Sequence, residues 1–154
     1  MTRPAANTAG KVMAAVEAAA PGLWFYNWRV WLEARLRVDR ALAPLDLRAK
    51  DFWLLAIAGA GNIPQNEIAA LFGVDPSTLV AVLDELEQRG WLRRKRNPHD
   101  RRVQWVERTE AGDALFTRAL PRVERAQAEQ LAALTLAQRR SLMAAMRRLV
   151  TIPR

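Results

Sequence analysis

The sequence contains no cysteine and only one histidine, His99, among its 154 residues. Without cysteine, the chain can form neither a disulfide nor a thiolate metal site or redox sensor. A transition-metal site within one chain would need further imidazole or thiolate ligands, so we predict no metal site and no other cofactor. On a turn, His99 is interpreted as a solvated residue or an anion contact.

Other scarce features narrow the class of protein further. No apolar stretch approaches the ~20 residues that a membrane span needs, and the alanine-rich N-terminus lacks a secretory pattern. We therefore expect a cytoplasmic protein without a membrane partner. Two serines, Ser77 and Ser141, and one histidine offer little from which to build a nucleophile and its base, so we predict no catalytic residue and no enzyme. The length fits one globular domain.

Positive charge is what the chain has in excess, with a formal net charge of +8 at pH 7. Between Arg89 and Arg108, eight Arg or Lys residues are set against two acids, so this short stretch alone carries +6. Residues 91–96 and 102–106 are predicted to form the two strands of a hairpin, joined by a turn at residues 97–101. A focused cationic hairpin of this kind is typical of nucleic-acid binding, and an ordinary hairpin with a solvated charged edge is the alternative.

Two short helices precede this hairpin. The first covers residues 63–73 and ends at Gly73, a residue type suited to a helix C-terminus. The second follows Asp75, which can cap it, places Pro76 at its first position and stops at Gly90. The apolar faces are predicted from helical spacing to comprise Ile68, Leu71 and Phe72 in the first helix, and Leu79, Val82, Leu83 and Leu86 in the second.

Several motifs in this region resemble the MarR family of transcriptional regulators. They are Gln65-Asn66-Glu67-Ile68-Ala69, Gly73-Val74-Asp75-Pro76-Ser77-Thr78-Leu79, the run from Leu83 to Leu92, and Asn97-Pro98-His99-Asp100-Arg101-Arg102 followed by Thr109-Glu110-Ala111-Gly112. The Asp-Arg-Arg hairpin followed by a Thr-x-x-Gly helix start is the most specific of them. The resemblance covers residues 62–109 closely and the flanking helices in order and length.

The resemblance implies a mainly α fold with a small β-hairpin wing (α+β), that is, a winged helix-turn-helix with N- and C-terminal dimerisation helices. The implied domains are an N-terminal arm (1–22), an N-terminal helix for dimerisation and a ligand cleft (23–47), the DNA-binding winged helix-turn-helix (48–109) and C-terminal dimerisation helices (110–154). It further implies a homodimer that binds double-stranded DNA.

In a winged helix the second helix enters the major groove and the hairpin reaches the neighbouring minor groove. The predicted DNA-binding residues are Gln65, Asn66, Pro76, Ser77, Thr78, Ala81, Arg93, Arg94, Lys95, Arg96, Arg101 and Arg102. The arginines and the lysine of the first strand would lie along phosphates, and Arg101 or Arg102 would enter the minor groove. Asp100 is expected to hold the wing by pairing with an arginine such as Arg94.

The chain departs from the family pattern at three places. Arg48 and Pro64 stand where the family usually has Ser or Thr, so the cap of the helix at residues 48–59 is expected from Asp46 or from nothing. The apolar residues of that helix expected to be largely buried are Phe52, Trp53, Leu55 and Ile57. Val80 and Ala81 stand where a hydroxyl and a basic residue are usual, so we expect little direct readout of bases in the major groove, or altered DNA recognition.

The helix predicted at residues 23–42 carries an aromatic stripe with Arg35 in its middle. An arginine between indole faces suits an aromatic carboxylate, and the family commonly senses small aromatic anions near this helix. The predicted effector-binding residues are Trp24, Trp28, Trp31, Arg35 and Trp53. The alternative is that the tryptophans are core and that Arg35 forms a structural ion pair with Asp39.

Helices are also expected at residues 11–20 and after the wing. Thr109 would cap a helix whose stripe includes Leu115, Phe116, Ala119, Leu120 and Val123, and which Pro121 would kink or break. Thr135 would open the last helix, at residues 136–150, with Leu142, Met143, Met146 and Leu149 on one side. We expect a second copy to bury these faces, a compact monomer being the alternative.

The leading functional hypothesis is a dimeric transcriptional repressor, released from a pseudo-palindromic operator by a small aromatic or anionic effector. The alternative is a ligand-independent DNA-binding or architectural winged-helix protein.

Overall fold

A computed structural model describes residues 5–19 and 22–150, which are mostly helical with one small sheet. The helices are α1 (Ala5–Ala19), α2 (Leu23–Leu42), α3 (Ala49–Ala58), α4 (Gln65–Phe72), α5 (Pro76–Gln88), α6 (Glu110–Gln130) and α7 (Leu136–Leu149). The strands are β1 (Ile63–Pro64), β2 (Leu92–Arg96) and β3 (Gln104–Arg108). The predicted fold class, mainly α with a small hairpin, is therefore confirmed.

The chain divides inside α2, between Leu36 and Arg37, into two compact units. The first contains α1 and the N-terminal part of α2, where Phe25 lies near Tyr26 and Trp28 at ring-centroid distances of 5.8 and 6.0 Å. The second contains the helix pair, the sheet, α6 and α7. The domain boundaries expected from the resemblance stay predictions.

The sheet has the order β1-β3-β2, with both neighbouring pairs antiparallel. Val106 in β3 lies opposite Ile63 on one side and Arg94 on the other, and it is fully buried. The sequence did not predict β1, because Ile63 and Pro64 were assigned to the following helix. The backbone of Pro64 is extended (φ −61°, ψ 132°), and a proline without an N–H is tolerated on the edge strand of a sheet.

The core of the second unit is formed by the apolar faces of α3, α4, α5 and α6 and by the central strand. Its largest fully buried apolar side chains are Leu42, Phe52, Leu55, Ile68, Leu83, Leu86 and Val106. Phe52 of α3 stacks on Phe116 of α6 with ring centroids 5.2 Å apart. Burial of each such side chain contributes about 1.5–3 kcal/mol, so this cluster fixes the helix pair against the sheet and α6.

Three apolar residues expected in the core are more exposed than their helical spacing indicated. Leu71 and Phe72 are 51% and 36% exposed, and α4 instead buries Ile68 and Ala69. Trp53 is 49% exposed, because α3 packs its opposite side, including Phe52, into the core. Helical spacing shows which residues share a face, but the width of the buried part depends on the elements that cover it.

The cap of α3 also differs from expectation. Asp51, within the first turn, accepts hydrogen bonds from the backbone N and the Nε of Arg48 at 3.2 and 2.7 Å. The backbone N of Ala49 donates to Asp39 at 2.7 Å. Asp46 pairs instead with Arg89 at 2.5 Å, because it lies in a left-handed turn after α2 and not at the start of α3.

The helices after the sheet begin at the threonines that the sequence indicated. Thr109 accepts from the backbone N of Gly112 at 3.0 Å, and Thr135 accepts from that of Gln138 at 3.3 Å. Helix α6 continues through Pro121 without a break. Proline has no N–H, so the carbonyl of Thr117 loses its helical hydrogen-bond donor. Both residues are exposed, so water can solvate that carbonyl.

The remaining expectations for the ends of the chain are met in part. Helix α1 starts earlier than residue 11, and Ala20 lies outside the described residues. Helix α7 ends one residue before Val150, and none of its residues is buried. Of the helices in the described ranges, no single one is long and apolar enough to cross a membrane.

Candidate nucleic-acid interface

Helices α4 and α5 form a helix-turn-helix, with their axes bent by 113° at the break between them. The turn works because Gly73 adopts the left-handed conformation (φ 62°) that ends α4. Asp75 then caps α5, as predicted, accepting from the backbone N of Ser77 and of Thr78 at 3.0 Å each. Buried Leu79, Leu83 and Leu86 hold α5 against the core, so its opposite face is presented to solvent.

The exposed start of α5 carries two of the predicted DNA contacts, Ser77 and Thr78. Both hydroxyl groups donate to the Asp75 carboxylate at 2.5 Å, and these bonds hold the pKa of that carboxyl well below its usual range. While they do so, each hydroxyl oxygen can only accept from a further partner. The pair can therefore accept a hydrogen bond from a donor outside the protein, and it must release Asp75 before it can donate to an outside acceptor.

The other residues predicted on the helix pair are spread along its start and outer side. Gln65 is half-buried at the first position of α4, and Asn66 follows it in full exposure. Pro76 is exposed at the first position of α5. Ala81 is exposed and Val80 is half-buried, so the face that points outward offers a methyl group in its centre.

The hairpin β2–β3 places its basic side chains in two different environments. Arg96 and Arg101 are exposed, and neither forms an ion pair within the described ranges. Arg102 is 90% exposed at the tip, where its Nε lies 3.2 Å from Asp100. Arg93 and Lys95 both approach Glu107 of the neighbouring strand, at 2.7 and 3.8 Å.

Asp100 holds the wing turn, although through a different arginine from the one expected. Its carboxylate accepts from the backbone N of Arg102 at 3.0 Å and from the side chain of the same residue. These bonds lower the pKa of Asp100. The local turn satisfies the carboxylate within two residues, so the expected pairing with Arg94 is wrong.

Arg94 is turned toward α5 and its side chain is only 23% exposed. Its guanidinium lies 2.5 Å from Asp84 and 2.5 Å from Glu87, and its backbone N donates to Glu87 at 2.9 Å. The backbone bond and then the side-chain bonds of Arg94 lower the pKa of Glu87. This cluster, which we call the wing clamp (Asp84, Glu87 and Arg94), ties the first strand of the wing to the second helix of the pair.

The sequence analysis missed the acidic half of this clamp. Asp84 and Glu87 are three residues apart and therefore share one side of α5. Two acids at this spacing, a few residues before a basic strand, could have indicated that a basic side chain of that strand pairs with the helix.

The base of the wing is joined to α6 through the Thr-x-x-Gly motif. The Thr109 hydroxyl donates to the carbonyl of Gly90 at 2.6 Å, and its backbone N donates to the carbonyl of Trp91 at 3.2 Å. A Cβ on Gly112 would overlap the carbonyl oxygen of Trp91, so α6 comes this close only because residue 112 is a glycine. The motif fixes the wing relative to the helix that follows it.

The predicted effector residues fall into both units. Trp24, Trp28 and Trp31 are all more than half exposed in the first unit, where the Arg35 guanidinium lies 5.7 Å from the ring centroid of Trp31. This is the cation–aromatic contact that their spacing predicted. Within a single chain, these three tryptophans are not part of the buried core. Trp53 belongs to the second unit.

A comparison with family models matches residues 52–103 to the MarR family. The HTH-type transcriptional regulator YdcH of Bacillus subtilis is 32% identical over 111 residues, which cover 69% of this chain and 74% of YdcH. MarR of Escherichia coli is 37% identical over 79 residues, so this chain matches only 55% of that protein's length.

Solved structures are similar to this chain in fold. A crystal structure of mutant MarR from Escherichia coli in complex with operator DNA has a TM-score of 0.78 and 26% identity, covering 88% of this chain and 98% of that one. CouR from Rhodococcus jostii bound to p-coumaroyl-CoA has a TM-score of 0.72 and 29% identity, covering 83% and 88% of the two chains.

Proposed function

The chain belongs to the MarR family of transcriptional regulators, a family of DNA-binding proteins and not of enzymes, and from this premise we propose that it is a homodimeric repressor of a pseudo-palindromic operator. The observation that carries the proposal is the pairing of an exposed α5 face with a wing whose Arg96 and Arg101 have no ion-pair partner in the described ranges. The structure of a related MarR in complex with operator DNA supports it. Its site of action would be the cytoplasm.

In the proposed complex, α5 lies in the major groove and the wing reaches the adjacent minor groove. Gln65, Asn66 and the N-terminal residues Pro76, Ser77 and Thr78 approach backbone and base edges. Arg93, Lys95 and Arg96 follow phosphates, which gives affinity without sequence information. Arg101 and Arg102 reach the minor groove and favour a narrow A·T-rich stretch.

Ala81 sets the character of base recognition in this proposal. Its methyl group lies at the outward centre of α5 and can contact a thymine methyl, but it donates no hydrogen bond. DNA shape and wing contacts therefore carry much of the discrimination. Arg94 contributes through the wing clamp, where it orients the strand that carries Arg93, Lys95 and Arg96, and a direct phosphate contact of Arg94 remains a prediction.

The homodimer is proposed from the unburied face of α7. Leu142, Met143 and Met146 are each about 40% exposed, and Leu149 is 70% exposed. A helix whose apolar side is uncovered in a single chain is stabilised when a second copy covers it. Two copies would place their α5 helices about 34–36 Å apart, which is one turn of DNA.

The wing variant Arg101→Ala with Arg102→Ala tests the mode of DNA binding. We expect loss of operator binding in a fluorescence-anisotropy titration. Where binding is still measurable, the slope of log affinity against log salt concentration should be smaller by about 0.9 for each lost phosphate contact. The charge-matched control Lys11→Ala with Arg118→Ala replaces two exposed cations outside the winged helix and should bind normally. Unchanged affinity of the wing variant, or a monomer in sedimentation equilibrium, would contradict the proposal.

A release of DNA by a small aromatic anion is the second part of the proposal. The exposed tryptophans Trp24, Trp28 and Trp31, with Arg35 over an indole face, offer planar apolar walls and a cation. CouR, bound to p-coumaroyl-CoA, is a structural relative with an aromatic acyl ligand. Trp53, which belongs to the second unit, stays a prediction from the sequence alone.

A thermal-shift screen with aromatic carboxylates tests the effector. Stabilisation by one of them, weaker in Arg35→Gln, together with reduced operator affinity, supports the sensor. No stabilisation by any of them would leave the ligand-independent DNA-binding protein as the better description.

A further inference from the structure

A second group of arginines lies far along the chain from the wing, in a cavity between α2 and α6. The cavity has a volume of about 390 Å³ and belongs entirely to the second unit. Its lining consists of Arg37, Arg40 and Ala41 from α2, and Arg122, Arg125, Ala126 and Glu129 from α6. We call this group the arginine cavity.

The arrangement follows from helical spacing. Arg37 and Arg40 are three residues apart on α2, and Arg122 and Arg125 are three residues apart on α6, so each helix turns two guanidinium groups to the same side. Ala41 and Ala126 are small, and they leave open the space that larger side chains would fill. The lining thus carries four cations against the single carboxylate of Glu129, a net charge of +3.

Three of the four cations are poorly compensated by the protein. Within the described ranges, Arg37, Arg122 and Arg125 form no ion pair. The Nε of Arg37 is buried and lacks a hydrogen-bond acceptor among the described residues. A buried donor without an acceptor destabilises the fold, and like charges facing one another add repulsion, so an anion in the cavity would relieve both.

The chemistry of the lining selects the class of ligand. Guanidinium groups are planar forks that bind carboxylate and phosphate oxygens through two parallel hydrogen bonds. Four of them around one space suit a group with several negative oxygens better than a single carboxylate. The volume is within the range of small-molecule sites, at about 300–1,000 Å³, and there is no aromatic side chain in the lining.

We propose that the arginine cavity binds a small molecule that carries phosphate groups, at a site that shares no residue with the wing or with the predicted effector residues. This inference concerns the folded chain alone and does not depend on its action at an operator. It can therefore fail while the proposed function holds, and the reverse is also true.

The test is calorimetric titration of the full chain with inorganic pyrophosphate at constant ionic strength. We expect saturable binding of one pyrophosphate per chain, weakened at least about tenfold in Arg122→Gln with Arg125→Gln, because charge-assisted hydrogen bonds are lost. The matched control Arg101→Gln with Arg102→Gln removes the same charge from the wing and should change the affinity by less than about twofold.

A second variant keeps the test decisive if the double arginine variant does not fold. Glu129→Gln removes the only carboxylate of the lining with almost no change of shape, and it should strengthen pyrophosphate binding about threefold. Thermal unfolding of each variant establishes that it is folded. Titration with adenosine diphosphate then distinguishes a bare anion from a nucleotide, since only the latter gains affinity from its base and sugar.

Two results would overturn the proposal. One is the absence of saturable binding to the wild-type chain, as expected if a second copy fills the cavity. The other is an equal loss of affinity in the cavity and wing variants, which would show that pyrophosphate responds only to the net charge of the protein.

Discussion

Replacing Arg94 with alanine distinguishes a side chain that holds the wing from one that contacts DNA. In the wing clamp, the guanidinium lies within 2.5 Å of both Asp84 and Glu87. Alanine removes these charge-assisted hydrogen bonds and leaves two carboxylates facing each other on α5. The backbone hydrogen bond from residue 94 to Glu87 is retained, so the strand itself should still form.

The expected loss of stability follows from the exposure of the partners. Hydrogen bonds to charged groups contribute about 1.5–3 kcal/mol when buried, but the side chains of Asp84 and Glu87 are 46% and 37% exposed. Screening by solvent reduces the expected cost of Arg94→Ala to about 1–2 kcal/mol. For a chain of this length, that corresponds to a decrease in Tm of about 3–6 °C.

The pH dependence of this loss has a definite sign. Because the folded chain holds the pKa of Glu87 below its usual value, the clamp stabilises the fold at neutral pH. Its contribution decreases as the pH falls below the ordinary glutamate pKa of about 4.3 and through the lower folded value. The difference between wild type and Arg94→Ala should therefore narrow in acid, as followed by urea unfolding at several pH values.

Operator titrations then separate the two roles. If Arg94 only orients the wing, Arg94→Ala weakens binding with an unchanged salt slope, and adding Glu87→Gln recovers part of the stability. The control is Arg96→Ala, on the same strand but without an ion pair in the described ranges. It should change the free energy of unfolding by no more than about 0.5 kcal/mol and lower the salt slope of operator binding by about 0.9. A stable Arg94→Ala protein with a reduced slope would refute the clamp.

Three further changes test the local arguments. Gly112→Ala should lower the free energy of unfolding, measured in urea, by about 1–3 kcal/mol, because the added Cβ meets the Trp91 carbonyl. Alanine is otherwise the better helix former, so a gain in stability would contradict this contact. Asp51→Ala should cost about 2 kcal/mol in the same assay, since the buried carboxylate caps α3 and holds Arg48; a neutral result would mean that the pair contributes nothing. Asp75→Ala should weaken operator binding and lower Tm at neutral pH. This difference should begin to shrink as the pH falls below about 3.9 and should vanish as the pH falls through the lower pKa that Asp75 has in the folded chain. A pH-independent difference would exclude the carboxylate as its source.

The parts of the fold that depend on near neighbours were predictable from the sequence. Asp75 caps α5, and Thr109 and Thr135 open α6 and α7, because a capping side chain reaches N–H groups only two or three residues ahead. The start and end of α2 at Leu23 and Leu42 also agree with the prediction. The basic hairpin followed from strands and a turn that adjoin each other in the chain.

Tertiary structure decided which of these side chains are exposed and which charges pair. Trp53 was expected in the core, but packing selected the opposite side of α3. Arg94 was expected to pair with Asp100, yet it pairs with two acids of α5, seven and ten residues away. The choice among several acids within reach of one arginine depends on distances that only the folded chain defines.

The amino-acid sequence by itself determined the caps of α5, α6 and α7, the bounds of α2, the location of the excess positive charge and the family. The short strand β1, the wing clamp and the arginine cavity came only from the three-dimensional arrangement. Each joins residues of different elements, as Arg37 of α2 and Arg125 of α6 are, and helical or strand periodicity carries no information on which elements meet.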